Sequence, residues 1–166
     1  LVGDRNQALT FFKLSDQLPI VLVLGGSQGA QKINELILQS LPKLTAKFQV
    51  IHQTGELNYE AVKKSAEQTP SENYHPYSFL DSNSLALAYA AADVVVSRSG
   101  ANLLSEISAL GKPAILIPLS KKASRGEQIV NAVELSKYGG IIIEEDNLVP
   151  SVFIDQIDRA YQNRSE

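Results

Sequence analysis

The sequence predicts an α/β fold with a Rossmann-like parallel sheet of about six strands and helices on both faces. Short apolar runs without a polar break, such as Val94–Val96, are typical of strands that are buried on both faces. These runs alternate with longer segments of helical periodicity, and parallel strands joined by right-handed crossovers accommodate that alternation. The 166 residues are enough for one domain with a full hydrophobic core.

Composition excludes several classes of protein. The net charge of −3 argues against a broad nucleic-acid-binding surface, so no nucleic acid is expected as a partner. The chain has no cysteine, which excludes disulfides and thiolate metal sites. No apolar run approaches the ~20 residues of a membrane-spanning helix, and no signal peptide is visible. Because the chain starts at Leu1 and not at a methionine, we expect a fragment of a longer protein.

The first part of the chain is predicted to begin with a linker or tail at residues 1–19, followed by a domain over 20–166. Phe11 and Phe12 are expected to form a small packing cluster. Strands are predicted at Ile20–Leu24, Phe48–His52 and Tyr74–Phe79. Helices are predicted at Gln28–Leu41, in a polar segment that ends near Gln68, and at Leu85–Ala92. Pro42 is predicted to end the first of these helices.

The second part of the chain continues the alternation. Strands are predicted at Val94–Val96, Ala114–Pro118 and Ile141–Ile143. Helices are predicted at Ala101–Leu110, Gln128–Tyr138 and Val152–Tyr161, the last starting near Ser151. Gly111 followed by Pro113 predicts the end of the first of these helices.

The turn from Gly25 to Gly29 follows the first predicted strand. Its glycines would let backbone N–H groups face a phosphate, and the Ser27 hydroxyl would add a hydrogen bond. It lacks the Gly-x-Gly-x-x-Gly pattern and a Walker lysine. The alternative is a tight turn with Ser27 as the helix N-cap.

Two later helix starts carry further candidates. The turn at Ser97–Gly100 leads from a strand into a helix N-terminus, which is a favourable place for an anion. Glu106 on that helix either accepts hydrogen bonds from ribose hydroxyls or is a solvated helix residue. Glu127 and Gln128 suit sugar hydroxyls, or they are ordinary helix-start residues.

Other polar residues are weaker candidates for a functional site. Lys121, Lys122 and Arg125 form a basic loop that suits a diphosphate or is simply solvated. His52 and His75 lack partners at metal-ligand or catalytic-triad spacing, so we expect structural or surface roles. No Asp-x-Asp motif occurs, and we expect neither a metal nor another cofactor.

Taken together, the motifs resemble the carboxyl-terminal, donor-binding domain of the MurG family of glycosyltransferases. The resemblance extends from Ile20 to about Phe153. It rests on Gly25–Ala30, His52–Gly55, Phe79–Asp81, Ala92–Asp93, Ser97–Ala101, Ser105–Glu106, Gly111–Pro113, Ile117–Pro118, and Gln128 with Asn131–Ala132. Each motif is weak alone, but their order and strand or helix contexts make the set specific.

The resemblance implies the C-terminal half of a two-domain GT-B enzyme. Such an enzyme transfers N-acetylglucosamine from UDP-N-acetylglucosamine to lipid I, with inversion, to make lipid II in peptidoglycan biosynthesis. It also implies a cytoplasmic protein, peripheral on the cytoplasmic face of the plasma membrane. The lipid I acceptor and the membrane would be contacted mainly through the missing N-terminal half. We therefore expect no catalytic residue in this fragment and no transfer by the fragment alone.

The resemblance also implies residue roles. The glycine loop with Gly26 and Ser27 would lie near the donor phosphate, and the backbone of Leu80 would read the uracil edge. Ala101, Asn102 and Leu103 would line the phosphate and ribose region, Glu106 would bind the ribose, and Glu127 and Gln128 would contact the sugar. Two positions depart from the family: Glu127 stands where a glutamine is common, and Leu103 where a threonine is common.

Three alternatives remain open from the sequence. The chain is also compatible with another GT-B lipid glycosyltransferase, such as a diacylglycerol glucosyltransferase, because the acceptor would be read largely by the missing half. A UDP-sugar 2-epimerase would need further acid and base side chains in the sugar site, which the sequence does not offer. A non-catalytic nucleotide-sugar-binding module is the alternative from a different functional class.

Overall fold

The computed structural model describes residues 4–25, 31–98, 101–118 and 140–163. The chain forms two compact units, Leu1–Asp93 and Val94–Glu166. Within the described residues, six strands are mostly separated by helices, and the paired strands within each unit are parallel, which confirms the predicted α/β class. The strand order is β3-β2-β1 in the first unit and β4-β5-β6 in the second.

The elements follow the predicted order. The first unit contains α1 (Arg5–Phe11), β1 (Ile20–Leu24), α2 (Gln31–Lys47), β2 (Gln49–Gln53), α3 (Tyr59–Ala66), β3 (Tyr74–Tyr77) and α4 (Ser82–Ala91). The second contains β4 (Val94–Ser97), α5 (Ala101–Leu110), β5 (Ala114–Leu116), β6 (Ile141–Ile142), a 3₁₀ turn (Glu145–Asn147) and α6 (Pro150–Gln162). The predicted helix at Gln128–Tyr138 lies outside the described residues.

The central strand of the first unit is β1, and all five of its residues are buried. It pairs with β2, which in turn pairs with β3, and the register brings Leu24, Gln53 and Tyr77 level at the carboxyl ends. Because parallel strands end at the same edge of a sheet, the polar loops after them start side by side.

A helix that the sequence did not predict precedes β1. Helix α1 is capped by Asp4, whose side chain accepts a hydrogen bond from the Asn6 N–H, and it packs against α4. Phe12 is buried and makes edge-on contacts with Phe11 and Tyr77, which confirms the expected packing cluster. A helix of seven residues shows too little periodicity to be recognised from sequence.

The prediction that Pro42 ends a helix is wrong, because α2 continues to Lys47. Leu44 and Thr45 beyond the proline are buried, so stopping at Pro42 would leave them unpacked. Two buried hydroxyls also bond back to carbonyls one turn earlier, Ser40 to Leu36 at 2.7 Å and Thr45 to Leu41 at 2.6 Å. Burial on this side outweighs the hydrogen bond that proline removes.

Other boundaries differ from the prediction by one to three residues, as at α4 and β2. Helix α4 begins at Ser82, three residues earlier than expected, because the Asp81 side chain accepts a hydrogen bond from the Ser84 N–H at 2.8 Å. Strand β2 runs one residue later than predicted, so Gln53 belongs to the strand and ends it.

The second unit matches the sequence closely. Strand β4 is fully buried, and α5 has the predicted bounds. Gly111 ends α5 with a φ of +65°, a conformation that glycine adopts without strain. Helix α6 starts at Pro150 and buries Phe153, Ile154, Ile157 and Ala160 against a sheet face that includes β4 and β5.

Candidate functional site

The loop after β3 carries Leu80, a predicted ligand-binding residue. Its side chain is buried, with 4% exposed, which anchors the backbone at this point. The Leu80 N–H donates a 2.8 Å hydrogen bond to Oε1 of Gln53, the last residue of β2. Ligands of parallel α/β sheets bind at this carboxyl edge. The structure therefore places the Leu80 backbone at the expected edge and shows that a glutamine holds its amide.

Backbone pairing continues beyond the ends of β2 and β3. The Thr54 N–H donates to the Tyr77 carbonyl at 2.9 Å, and the Gly55 N–H donates to the Ser78 carbonyl at 3.1 Å. Phe79, immediately before Leu80, is 63% exposed. Hydrogen bonds thus join the loops after β2 and β3 as far as Ser78, and the next residue, Phe79, is exposed to solvent.

A buried hydrogen-bond network lies under this edge. The Nδ2 group of Asn34 on α2 donates to the Thr54 carbonyl at 3.1 Å, and Asn34 Oδ1 accepts from His52 Nε2 at 2.8 Å. The other ring nitrogen of His52, Nδ1, lies 2.7 Å from the Tyr74 hydroxyl. Since a carbonyl can only accept, the directions follow: Nε2 carries the proton and Nδ1 accepts from Tyr74.

Burial keeps His52 neutral. The side chain is fully buried, and desolvation lowers the pKa of His52 to about 3. Burial likewise raises the pKa of the Tyr74 hydroxyl, with a smaller contribution from Tyr59. Both ring nitrogens of His52 form hydrogen bonds, and the ring is neutral at neutral pH. His52 therefore has a structural role near the end of β2, as predicted.

In the second unit, four predicted residues lie on α5. Ala101, Asn102 and Leu103 form its first turn, and Glu106 follows one turn later with a half-exposed side chain. The first N–H groups of a helix have no partner within the helix and carry a partial positive charge, so this end suits an anion. The backbone positions therefore fit the predicted phosphate and ribose region.

Arg98 is the last described residue before α5. It belongs to the sequence motif Ser97–Ala101, but the sequence predicted no role for it. Its side chain is buried and forms an ion pair with Glu145, Nη1 to Oε1, at 2.5 Å. The same Nη1 lies 3.3 Å from the Ile117 carbonyl and 3.4 Å from the Pro118 carbonyl. Arg98 thus links the ends of β4 and β5 to the 3₁₀ turn after β6.

Gly26, Ser27, Glu127 and Gln128 lie outside the described residues. Within the described part of the chain, no three His, Cys, Asp or Glu side chains form a group that would hold a metal ion. Among those same residues, no helix combines the length and apolar character needed to cross a lipid bilayer.

The parallel α/β fold, with polar groups at the carboxyl ends of its strands, defines a class of domain that binds ligands at that edge. The crystal structure of Acinetobacter baumannii MurG is similar, with a TM-score of 0.75 and 27% identity, covering 98% of this chain and 46% of that one. Residues 20–166 match the family described as glycosyltransferase family 28 C-terminal domain, and the chain belongs to that family.

Two relatives carry the same name, UDP-N-acetylglucosamine–N-acetylmuramyl-(pentapeptide) pyrophosphoryl-undecaprenol N-acetylglucosamine transferase. The one from Clostridium tetani is 37% identical over 166 residues, which cover 99% of this chain and 45% of the relative. The one from Treponema denticola is 41% identical over 160 residues, covering 92% and 40%. The chain therefore spans less than half the length of these relatives.

Proposed function

We propose that this chain is the donor-binding half of an N-acetylglucosaminyltransferase of peptidoglycan biosynthesis. The whole enzyme would transfer N-acetylglucosamine from UDP-N-acetylglucosamine to lipid I, with inversion at the anomeric carbon, to form lipid II. The observation that carries this proposal is family membership over residues 20–166, with relatives that share one enzyme name. We propose that the donor domain begins at residue 20 and that residues 1–19, whose helix α1 packs against α4, are the segment that leads into it.

We propose donor-binding roles for residues of each unit in turn. In the first, Gly26 and Ser27 would approach the phosphate and Leu80 would present its backbone to uracil; the buried Leu80 side chain and its fixed amide support this role. In the second, Ala101, Asn102 and Leu103 would offer the helix N-terminus to the phosphate and ribose, Glu106 would accept from ribose hydroxyls, and Glu127 and Gln128 would contact the sugar.

We further propose that the chain alone transfers no sugar. Inverting transfer needs a base within hydrogen-bond reach of the acceptor hydroxyl, and the roles above assign none of these residues to that task. Lipid I and the membrane surface would be contacted mainly by the other half of the enzyme. Closure of two halves excludes water and aligns the reactants, so a single half lacks both advantages. The whole enzyme would act at the cytoplasmic face of the plasma membrane.

Calorimetric titration of the chain with UDP-N-acetylglucosamine, in the presence of a metal chelator, tests the proposal. We expect binding without metal, and we expect Glu106→Ala to weaken UDP binding by about 2–4 kcal/mol, since charge-assisted hydrogen bonds contribute ~1.5–3 kcal/mol each and are not additive. Glu144→Ala is the matched control, because Glu144 is an exposed glutamate of the same unit.

Four outcomes would count against this proposal. Absence of UDP binding, or a requirement for Mg²⁺, would contradict the donor site. Equal losses for UDP and its 2′,3′-dideoxy analogue in Glu106→Ala would show that Glu106 does not bind the ribose. Tighter binding of UDP-glucose than of UDP-N-acetylglucosamine would instead favour a glucosyltransferase.

A further inference from the structure

The side-chain amide of Gln53 forms a hydrogen bond through its oxygen but, within the described residues, none through its nitrogen. Its Oε1 accepts the hydrogen bond from the Leu80 N–H, so the orientation of the amide group is set by chemistry: the oxygen must face the donor. The amino group, Nε2, therefore faces the other way. Across the described part of the chain, no group accepts a hydrogen bond from it. Two N–H donors are thus held at the carboxyl edge of the first unit.

The position of this amino group is fixed before any ligand arrives. Gln53 ends β2, where it pairs with Leu24 on one side and Tyr77 on the other. Its side chain is half-buried, and the bond to Leu80 restrains the carboxamide. Ordering a free glutamine side chain costs conformational entropy, and here much of that cost is met during folding. Such a preorganised donor is what a specificity contact requires.

A fixed N–H donor selects carbonyl oxygens over amino groups. Pyrimidine bases differ in this respect at position 4, where uracil, like thymine, carries a carbonyl oxygen and cytosine carries an amino group. Gln53 is hydrogen-bonded to Leu80, the residue whose backbone is proposed to lie at the base. A uracil in this place would accept from Nε2, whereas a cytosine would bring two donors together.

We propose that Gln53 is a specificity-determining residue that selects uracil over cytosine in the nucleotide of the donor, by donating from Nε2 to the 4-carbonyl oxygen. This inference rests on the proposed function and deepens it. Gln53 also holds the Leu80 amide, so the two residues form one base-reading pair. The sequence signal was present but ambiguous: a polar residue at the end of a buried strand.

Gln53→Glu tests this pairing directly. A carboxylate still accepts from the Leu80 N–H, so the local structure is retained, but it replaces the N–H donor with a second acceptor. We expect the unaltered protein to bind UDP more tightly than CDP. In Gln53→Glu, UDP affinity should fall about tenfold or more, and the ratio of UDP to CDP affinity should shrink or reverse, because the carboxylate repels the 4-carbonyl oxygen of uracil and accepts from the 4-amino group of cytosine.

The ratio isolates the base from the added negative charge, because repulsion of the diphosphate is the same for UDP and CDP. Gln68→Glu is the matched control: Gln68 is an exposed glutamine just after α3, and its ratio should equal that of the unaltered protein. Gln53→Met, which removes both donor and acceptor, should bring the ratio towards unity. Circular dichroism and urea unfolding establish that each variant is folded.

The two hypotheses fail in different ways. If the unaltered protein binds UDP but Gln53→Glu and Gln53→Met keep its UDP to CDP ratio, Gln53 does not read the base, and the donor-binding proposal stands. If the unaltered protein binds neither nucleotide, the donor-binding proposal itself is wrong, and the role of Gln53 is lost with it.

Discussion

The two units organise the carboxyl ends of their strands by different chemistry. The first uses neutral groups: His52 lies between Tyr74 and Asn34, and Gln53 holds the amide of Leu80. The second uses a buried ion pair, in which Arg98 contacts Glu145. Both arrangements connect residues that are far apart in sequence and lie at or beside the edge where ligands of such sheets bind.

This difference affects how each unit responds to change. A buried ion pair is costly to break, because removing one partner leaves a charge in a poorly solvated place. A neutral network loses less when one hydrogen bond is removed, since each contributes about 0.5–1.5 kcal/mol net. A neutral buried histidine, however, makes stability depend on pH. The comparison can therefore be tested by mutation and by titration.

The largest effect is expected at the ion pair. Glu145→Ala should destabilise the protein by about 3–5 kcal/mol, because the buried Arg98 guanidinium loses the charge of the Glu145 carboxylate. The double variant Arg98→Met/Glu145→Leu should be considerably more stable than this single variant, since apolar replacement removes both charges. Urea unfolding followed by circular dichroism measures both. Asp146→Ala, an exposed acidic neighbour in the same 3₁₀ turn, should change stability little. A cost for Glu145→Ala no larger than that of this control would show that the pair adds no stability.

The next effect is a dependence of stability on pH, which we expect from the first unit because it contains His52. The pKa of His52 is about 3 in the folded protein, against 6.5 for an ordinary histidine. Above pH 6.5 the ring is neutral in both states and contributes no pH dependence. As the pH falls from 6.5 towards 3, His52 binds a proton in the unfolded chain but not in the folded chain, so the free energy of unfolding decreases. The loss should be roughly 2–3 kcal/mol between pH 6.5 and 4.5, at ~1.4 kcal/mol per pH unit.

His52→Gln should remove this share of the pH dependence. The measurement is the difference in unfolding free energy between the unaltered protein and the variant across that range, which cancels the titration of carboxylates. His75→Gln is the matched control, because burial lowers the pKa of the half-buried His75 in the same direction. We expect His52→Gln to flatten the pH profile more. Equal flattening by both variants would contradict the central role of His52.

The smallest effect is expected at the rim of the neutral network. Tyr74→Phe removes the hydroxyl that donates to His52 Nδ1 and should cost about 1 kcal/mol in urea unfolding. Tyr59→Phe removes a hydroxyl that forms no hydrogen bond within the described residues, and should be neutral. If the two variants lose the same stability, the Tyr74–His52 bond contributes nothing measurable.

Much of the fold was predictable because its signals are local. Strand β1 was predicted with its observed bounds from an uninterrupted apolar run, and α5 from helical spacing followed by a glycine. The errors have non-local causes. The burial of Leu44 and Thr45 carries α2 past Pro42, and α1 packs on α4, a helix that lies far along the chain.

The candidate site was predictable in part. The strand-end edge follows from the parallel α/β pattern, and family resemblance pointed to Leu80 and Glu106. Neither route assigned a role to Gln53 or Arg98, because their side chains could equally be solvated. Their partners, Leu80 and Glu145, are 27 and 47 residues away in sequence and become neighbours only in the folded chain.

The amino-acid sequence by itself determined the alternation of strands and helices, since apolar periodicity and glycine or proline signals act over a few residues. It also specified which chemical groups are available at the strand ends. Only the tertiary structure decided how those groups are used: the Gln53 oxygen on Leu80, the neutral His52 between two partners, and Arg98 on Glu145. Hydrogen bonds and ion pairs depend on distance and burial, and strand register and packing set both.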